Sequence, residues 1–364
     1  MIPFVDLRAQ YASLQDELER ALLDAAARGD YILGDDVARF EEEFASYVGA
    51  RTCVGVNSGT AAIQLGLEAL GIGPGDEVIA PASTFVASVS PAVKLGATIV
   101  LVDCDETTGL IDVDAAASAV TERTRALVAV HLYGQPANLR PLGELCDARG
   151  IALVEDACQA HGARYEGRRV GTFGRFAAFS FYPSKNLGAL GDGGAVTTDD
   201  EELAARIRLL ARLGEETKGV HVVAGWNERL DTLQAAALRV KLRHLDSWNE
   251  RRREVAAWYT EMLAGVELPT VAPWAEHVWH LYVVRSGRRD ELRAALAERE
   301  IGTGVHYPLP LHLQPALRDR LGYREAAFPG AEARARTQLS LPMYPELERA
   351  QVEQVVAAVA DFAA

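Results

Sequence analysis

The sequence predicts an α/β protein whose large domain is built on a mostly parallel central sheet. Between residues 52 and 200, short apolar runs alternate with longer stretches of helical periodicity. Strands that alternate with helices in this way are typical of βαβ units, in which the strands lie parallel. Small and polar residues follow several of these runs, and in such sheets ligands bind at the carboxyl ends of the strands. We therefore expect the functional site at that edge of the sheet.

The composition limits the class of protein. The chain has 364 residues, 49% of them hydrophobic, and a formal net charge of −14. This size and hydrophobic content fit a two-domain enzyme with a sizeable core, and the acidic charge argues against nucleic acid as a partner. Acidic side chains interrupt the first 30 residues, so they lack the apolar segment of a signal peptide, and no uncharged apolar run is long enough to span a bilayer. We expect a cytoplasmic protein that does not insert into a membrane.

The cysteines and histidines do not indicate a metal site. The four cysteines are Cys53, Cys104, Cys146 and Cys158. They show neither Cys-x-x-Cys spacing nor a zinc-like histidine group, and no His-Glu-x-x-His spacing occurs. We expect reduced thiols and no metal.

The elements of the large domain follow from periodicity. Apolar residues at helical spacing predict helices over residues 12–28 and 35–48. Short apolar runs predict strands over residues 52–56, 77–80, 99–102, 126–130, 152–155, 177–181 and 194–197. Helical periodicity returns over residues 201–213 and 230–263, and the arginines at 251–253 are typical of a solvated helix face.

The remaining residues predict a smaller α+β domain. Strands are expected over residues 278–285 and 301–307, and a helix over residues 290–299. Residues 331–339 and 348–362 complete this domain. The boundary is expected in the long preceding helix, which gives a large domain of residues 1–245 and a small domain of residues 246–364.

A phosphate-binding motif is predicted around Gly59 and Thr60. The strand-like residues 52–56 lead into a turn of small residues at 57–60, and an apolar helical pattern follows. The N-terminus of a helix presents free backbone N–H groups and the positive end of the helix dipole to an anion.

A carboxylate and a lysine follow this motif along the chain. A buried strand is predicted to end at Asp156, and Lys185 lies between Pro183 and a glycine-rich segment. A lysine must lose its proton to attack a carbonyl group, which requires burial or a cationic neighbour. A loop lysine taken alone is more often a solvated residue. The three motifs together nevertheless indicate a phosphate-binding turn, a carboxylate at a strand end and a candidate Schiff-base lysine, in that order along the chain.

In these motifs, and over essentially its whole length, the chain resembles the sugar aminotransferases of the DegT/DnrJ/EryC1/StrS family. Further matching segments are residues 2–7, 31–34, 73–78, 131–135, 229–236 and 306–308. Enzymes of this family use pyridoxal phosphate (PLP) and have the aspartate aminotransferase fold, PLP fold type I. The resemblance implies a large PLP-binding α/β domain followed by a smaller C-terminal α+β domain.

The resemblance also implies roles for individual residues around the cofactor ring. Lys185 matches the lysine that holds PLP as a Schiff base and then moves the proton during transamination. Asp156 matches the carboxylate beside the pyridine nitrogen, where it favours the protonated ring that serves as electron sink. Gln159 matches the residue that binds the phenolic oxygen, and Phe85 matches the aromatic residue that stacks on the ring.

Four further residues match the family's phosphate contacts. Gly59 and Thr60 match the backbone amides and hydroxyl group that hold the phosphate, and Ser180 matches another phosphate ligand. Asn227 matches a residue that reaches the cofactor phosphate of the neighbouring subunit. The resemblance therefore implies a homodimer with shared active sites.

Substrate contacts are predicted less directly, because they lie on more variable loops. His306 and Tyr307 belong to a segment that resembles the family's substrate-side motif, and Tyr182 precedes the lysine loop. His131 and His161 follow predicted strands, where core and functional roles are equally open.

The predicted reaction is transamination. Family members that dehydrate their sugar carry histidine where this chain has Lys185. The resemblance implies transfer of an amino group from L-glutamate to a nucleotide-diphosphate-linked keto-deoxysugar. Residues 239–243, 246–249, 278–281 and 306–314 resemble enzymes that aminate C3 of a thymidine-diphosphate (TDP) 3-keto-6-deoxyhexose.

Several alternatives remain open at the level of sequence. Residues 58–61 and Ser184 depart from the pattern of many C3 enzymes, which leaves C4 amination of a TDP-4-keto-6-deoxyhexose. The same departures leave C3 amination of a 3-keto acetamido uronic acid on uridine diphosphate (UDP). A different type I PLP enzyme acting on amino acids, or an inactive regulator that retains the fold, is a further alternative.

Overall fold

The structure, a computed structural model, describes residues 1–363. Its strands are β1 (Thr52–Val56), β2 (Glu77–Pro81), β3 (Thr98–Val102), β4 (Thr124–Val130), β5 (Ala152–Asp156), β6 (Arg164–Tyr165), β7 (Arg168–Arg169), β8 (Phe176–Ser180), β9 (Gly194–Thr198), β10 (Glu215–Thr217), β11 (Val220–His221), β12 (Ala275–Glu276), β13 (Tyr282–Arg285) and β14 (Gln338–Leu341). Its α-helices are α1 (Leu7–Ser13), α2 (Gln15–Arg28), α3 (Asp35–Val48), α4 (Gly59–Ala69), α5 (Ser90–Lys94), α6 (Val113–Ser118), α7 (Leu139–Arg149), α8 (Glu201–Ala211), α9 (Thr232–Leu242), α10 (Leu245–Met262), α11 (Arg289–Glu298), α12 (Pro315–Leu321), α13 (Pro329–Thr337) and α14 (Arg349–Ala363). Among the described residues, no helix has the length and apolar character that crossing a membrane requires.

Seven of the strands form the central sheet, in the order β1-β9-β8-β5-β4-β2-β3. The pairs from β8 to β3 are parallel, whereas β9 is antiparallel to both of its neighbours. The prediction of an α/β fold with a mostly parallel sheet is confirmed.

The antiparallel strand β9 determines the position of the lysine loop. Residues 181–193 connect the carboxyl end of β8 directly to the start of β9, without the helical crossover that a parallel neighbour would need. The loop therefore lies at the edge where the parallel strands end, and Lys185 lies within it.

Helix α4 packs tightly behind the sheet. Nearly all of its residues are buried, and a Cβ atom added at Gly66 would lie 2.3 Å from the ring of Phe176 in β8. This close approach requires glycine and sets how near α4 lies to β8.

Hydrophobic clusters cover both faces of the sheet and fill the small domain. Alternate strand residues enter different clusters, so that Val54 belongs to one and Cys53 to the other. A third cluster contains residues between Val255 and Val359 together with Ile2 from the chain start. Ile2, from the chain start, packs in this third cluster, and Leu311, from the C-terminal part, packs against the sheet. The N-terminal and C-terminal parts of the chain therefore contribute residues to each other's clusters. The division at residue 245/246 stays a prediction.

Two predicted elements were wrong. Residues 301–307 form no continuous strand, because Ile301 bridges to Ile2 and Gly304 bridges to Ser340, so the pairing partner changes within three residues. The helix predicted over residues 230–263 is two helices, α9 and α10, which are interrupted at Arg243.

The fully buried carboxylate of Glu155 holds the end of β5. Its Oε2 accepts hydrogen bonds from His131 Nε2 at 3.1 Å and from the Gly171 amide at 2.8 Å. Its Oε1 accepts from the amides of Phe173 at 2.7 Å and Gly174 at 2.9 Å. The Ala137 amide donates to His131 Nδ1, so the proton of a neutral imidazole lies on Nε2, facing Glu155.

These contacts also determine the protonation of Glu155. Burial by itself would raise the pKa of this carboxyl group, but the hydrogen bonds from His131 and the backbone amides hold the pKa below its usual value. The resulting stabilisation is present at neutral pH and is lost as the pH falls through the folded-state pKa.

We predict that Glu155→Gln lowers the free energy of unfolding by about 3 kcal/mol, because the new NH2 group faces two N–H donors in either orientation of the amide. Thermal denaturation at neutral pH measures the effect, with the exposed Glu122→Gln as the matched control. The difference in melting temperature between Glu155→Gln and the wild type should become smaller in acid, where Glu155 is protonated. An unchanged melting temperature for Glu155→Gln would contradict the role of an ionised carboxylate at this position.

Candidate active site

A cavity of about 380 Å³ lies at the carboxyl ends of the parallel strands. The predicted site residues that line it are Gly59, Thr60, Phe85, Asp156, Gln159, Ser180, Tyr182, Lys185, His306 and Tyr307. The last two come from the segment that follows β13 and α11, so the C-terminal part of the chain contributes one wall.

The N-terminus of α4 forms one end of the cavity. Ser58 caps this eleven-residue helix, since its Oγ accepts from the Ala61 amide at 3.1 Å. Within residues 1–363, the amides of Gly59 and Thr60 have no acceptor. A Cβ atom at Gly59 would lie 2.7 Å from Ser180 Cβ, so glycine leaves this concave surface open. Free amides at a helix N-terminus fit a phosphate group.

Asp156 is the last residue of β5 and lies on the cavity wall. Its Oδ2 accepts from Ser88 Oγ at 2.6 Å, and its Oδ1 accepts from the Cys158 amide at 3.2 Å. The residue is 6% exposed, and it forms no salt bridge with any residue in the described part of the chain. A buried carboxylate without a cation fits a positively charged ring nitrogen from a bound group.

Lys185 lies opposite this carboxylate in the same cavity. Its backbone N–H donates to the Tyr182 carbonyl at 2.8 Å, which fixes the turn. Burial lowers the pKa of the Lys185 ammonium, although Cys158 and Asp156 nearby oppose this shift. A lowered pKa increases the fraction of neutral amine, which is the form that attacks a carbonyl carbon.

Gln159 connects Tyr133 to Tyr307 at the wall of the cavity. Its Oε1 accepts from the Tyr133 amide at 2.7 Å, and its Nε2 donates to Tyr307 Oη at 2.9 Å. Tyr133 has a φ of 60°, a left-handed conformation that is uncommon for tyrosine. The rings of Phe85 and Tyr307 lie 5.3 Å apart, and Phe85 is half exposed. An exposed aromatic face in a cavity fits a stacking role.

The histidines of the site are held neutral. His306 Nδ1 is bonded to Ser340 Oγ at 2.8 Å, and burial, with a smaller contribution from Lys185, lowers its pKa to about 4. His280 also lines the cavity, its buried Nδ1 has no hydrogen-bond partner among residues 1–363, and burial lowers its pKa well below the usual value. Neutral imidazoles can bind substrate hydroxyl groups without adding charge.

Of the two histidines left open by the sequence, neither lines the cavity. His131 is bonded to Glu155, and His161 is fully buried against Phe179 and Phe181. Both are core residues in this structure.

The sequence did not predict a site role for Thr84 or Ser88, and it included His280 only as part of the matching segment 278–281. Thr84 and Ser88 flank Phe85 in the same segment, but an ordinary serine or threonine has no feature that distinguishes it from a loop residue. Position relative to the predicted stacking residue was the only available hint.

Asn227 lies outside the main cavity. It lines a separate cleft with Arg229 and Asp192, and Asp192 also borders the cavity. Within one chain, Asn227 is therefore not placed against the other cofactor residues.

The chain is similar to a family of aminotransferases in sequence and in structure. The model of the DegT/DnrJ/EryC1/StrS aminotransferase family matches residues 12–360. The chain is 50% identical to the dTDP-3-amino-3,4,6-trideoxy-alpha-D-glucose transaminase of Streptomyces venezuelae, over 100% of this chain and 96% of that protein. The crystal structure of S. venezuelae DesV matches with a TM-score of 0.97 at 50% identity and covers 100% of this chain and 98% of that one.

A more distant structure holds a cofactor. NtdA from Bacillus subtilis, solved with bound pyridoxamine phosphate (PMP), matches with a TM-score of 0.91 at 28% identity, over 100% of this chain and 85% of that one. A family match of this extent, together with a cavity that joins a lysine, a carboxylate and a phosphate cradle, shows that the chain belongs to the DegT/DnrJ/EryC1/StrS aminotransferase family.

Proposed function

We propose that this chain is a PLP-dependent aminotransferase that converts a nucleotide-diphosphate-linked ketosugar into an aminosugar. The observation that carries the proposal is the shared cavity of Lys185, Asp156 and the free N-terminus of α4. Within it we favour amination at C3 of a TDP-3-keto-6-deoxyhexose with L-glutamate as donor. The 50% identity with a TDP-3-amino sugar transaminase supports this position.

The chain's own residues divide the work of holding the cofactor. When bound, PLP supplies a carbonyl carbon for amine exchange and a ring that accepts electrons. The amides of Gly59 and Thr60, with the Ser180 hydroxyl group, would bind its phosphate. Asp156 would pair with the ring nitrogen, and Phe85 would stack on the ring.

Lys185 serves as both the cofactor anchor and the proton carrier. Its Nζ would hold the cofactor, and its neutral amine would hold and move the proton at the substrate carbon. The lowered pKa of Lys185 suits both roles, because each needs the neutral amine.

The sugar is proposed to bind against the small-domain wall. Tyr182 is 57% exposed at the cavity wall, and His306 and Tyr307 face Lys185 from the other domain. Gln159, which we assign to the cofactor's phenolic oxygen, orients Tyr307 through its Nε2. The position of Tyr307 toward a bound sugar would therefore depend on Gln159, a residue assigned to the cofactor.

The working assembly is proposed to be a homodimer in the cytoplasm. Exposed apolar side chains surround Asn227 and offer an interface; they include Leu213, Val220, Val222, Val223 and Trp226. In such a dimer Asn227 reaches the neighbouring subunit's phosphate site. The free cysteines, three of them buried, fit a reducing compartment.

We predict that Lys185→Ala loses the covalent cofactor link and at least 1,000-fold in turnover, since the nucleophile and the proton carrier are one residue. Borohydride reduction followed by peptide mass spectrometry should find the cofactor on the Lys185 peptide of the wild type and not in the variant. The exposed Lys94→Ala is the matched control. Normal turnover by Lys185→Ala would refute the assignment.

We predict that L-glutamate converts the bound cofactor to its amino form and that a TDP-3-keto-6-deoxyhexose converts it back. Absorbance spectra of the loaded protein follow both half-reactions, with TDP-4-keto-6-deoxyhexose and a UDP-3-keto acetamido uronic acid in parallel cuvettes. If one of these two alternative sugars converts the cofactor back and the TDP-3-keto sugar does not, the proposed position of amination or the proposed nucleotide is wrong. Failure of every amino acid donor would favour a regulator, and elimination from an amino acid would favour another PLP enzyme class.

We predict that Lys185→Ala and Asn227→Ala subunits complement each other. Each variant alone should be weak, but a mixed dimer places both defects in one active site and leaves the other intact, so mixing after mild dissociation should restore part of the activity. Absence of any recovery, with mixed dimers demonstrated by mass, would contradict the shared site.

A further inference from the structure

Two buried hydroxyl groups stand behind the Asp156 carboxylate. Ser88 closes the one-turn helix Val86–Ser88 and is 1% exposed, and Thr84 is 3% exposed. Ser88 Oγ lies 2.6 Å from Asp156 Oδ2 and 2.9 Å from Thr84 Oγ1. Both residues also line the cavity.

The donors and acceptors among Thr84, Ser88 and Asp156 follow from the number of protons that each group carries. An ionised carboxylate can only accept hydrogen bonds, so Ser88 gives its single hydroxyl proton to Asp156. Ser88 can then only accept from Thr84, which fixes the direction from Thr84 to Ser88 to Asp156. Hydrogen bonds to a charged acceptor are shorter and stronger than neutral ones, and the 2.6 Å distance fits this class.

The hydrogen bond from Ser88 prevents the Asp156 carboxylate from turning to another orientation. The other carboxylate oxygen has only the longer contact of 3.2 Å with the Cys158 amide. Lys185 lines the same cavity, and Asp156 opposes the fall of its pKa that burial causes. A carboxylate released from Ser88 could turn toward Lys185, which would favour the charged ammonium and leave the ring-nitrogen position without a partner.

We propose that Ser88, supported by Thr84, is a positioning residue that keeps the Asp156 carboxylate aimed at the cofactor's ring-nitrogen position and away from Lys185. The inference rests on the proposed role of Asp156 as the ring partner. Ser88 acts through Asp156 and contacts neither substrate nor the reacting carbon.

The test is a double-mutant cycle of Ser88→Ala, Asp156→Asn and the combined variant, with rates from the L-glutamate half-reaction in a single turnover. Ser88→Ala should lower the rate about 10- to 100-fold. In the Asp156→Asn background the same change should cost no more than about 2-fold, because the charge that Ser88 positions is already gone. Ser83→Ala, a buried neighbour in the same segment, is the matched control and should match the wild type.

A second measurement does not depend on turnover. The rate at which apo-protein attaches PLP covalently reports neutral Lys185, and its pH profile should move to higher pH in Ser88→Ala but not in Ser83→Ala. Thr84→Val preserves volume and should give a smaller loss of about 3- to 10-fold in the half-reaction, and it carries the test if Ser88→Ala does not fold.

The outcomes separate this inference from the proposed function. A wild-type rate and pH profile in Ser88→Ala, with Asp156→Asn inactive, would overturn the role of Ser88 alone. The role of Ser88 would also be overturned if the rate loss of the combined variant equalled the product of the two single-variant losses. That result would indicate a packing effect that is independent of Asp156. Normal activity in Asp156→Asn would instead refute the ring-partner role on which the inference rests.

Discussion

The buried carboxylate of Glu155 is the interaction on which the geometry of the site depends. It takes four N–H donors from two separate segments and so ties the end of β5 to the loop before β8 and to His131. A carboxylate with no exposure is stable only if such donors replace its water. The contact therefore fixes the backbone from which the next residue, Asp156, enters the cavity.

Two adjacent acids thus serve opposite purposes. Side chains alternate between the faces of a strand, so Glu155 and Asp156 point to different sides of β5. Glu155 has every acceptor position matched by this chain's own donors, whereas Asp156 has a hydroxyl and an amide but no cation. The first environment stabilises the fold, and the second leaves a charge available for a ligand.

Burial lowers the pKa of one titratable group in each of the two parts of the chain that meet at the cavity. His306 has a lowered pKa, that of Lys185 is lowered as well, and burial is the main cause for both. The segment carrying His306 is also attached to the central sheet, since the Leu311 amide donates to the Ala82 carbonyl, which directly follows β2. The segment that carries His306 and Tyr307 is therefore hydrogen-bonded to the sheet edge at which Asp156 lies.

The sequence by itself determined the α/β alternation, the small-residue turn at 57–60 before a helix and the candidate pair Asp156 and Lys185, because periodicity and short motifs report local burial and backbone chemistry. It did not determine the antiparallel direction of β9, which depends on how the loop of residues 181–193 returns across the sheet. It also predicted a strand over residues 301–307, where the partner strand changes. The bond between Ser88 and Asp156 joins residues 68 positions apart. Only the tertiary structure decided that contact, because no local pattern records which distant side chains packing will bring together.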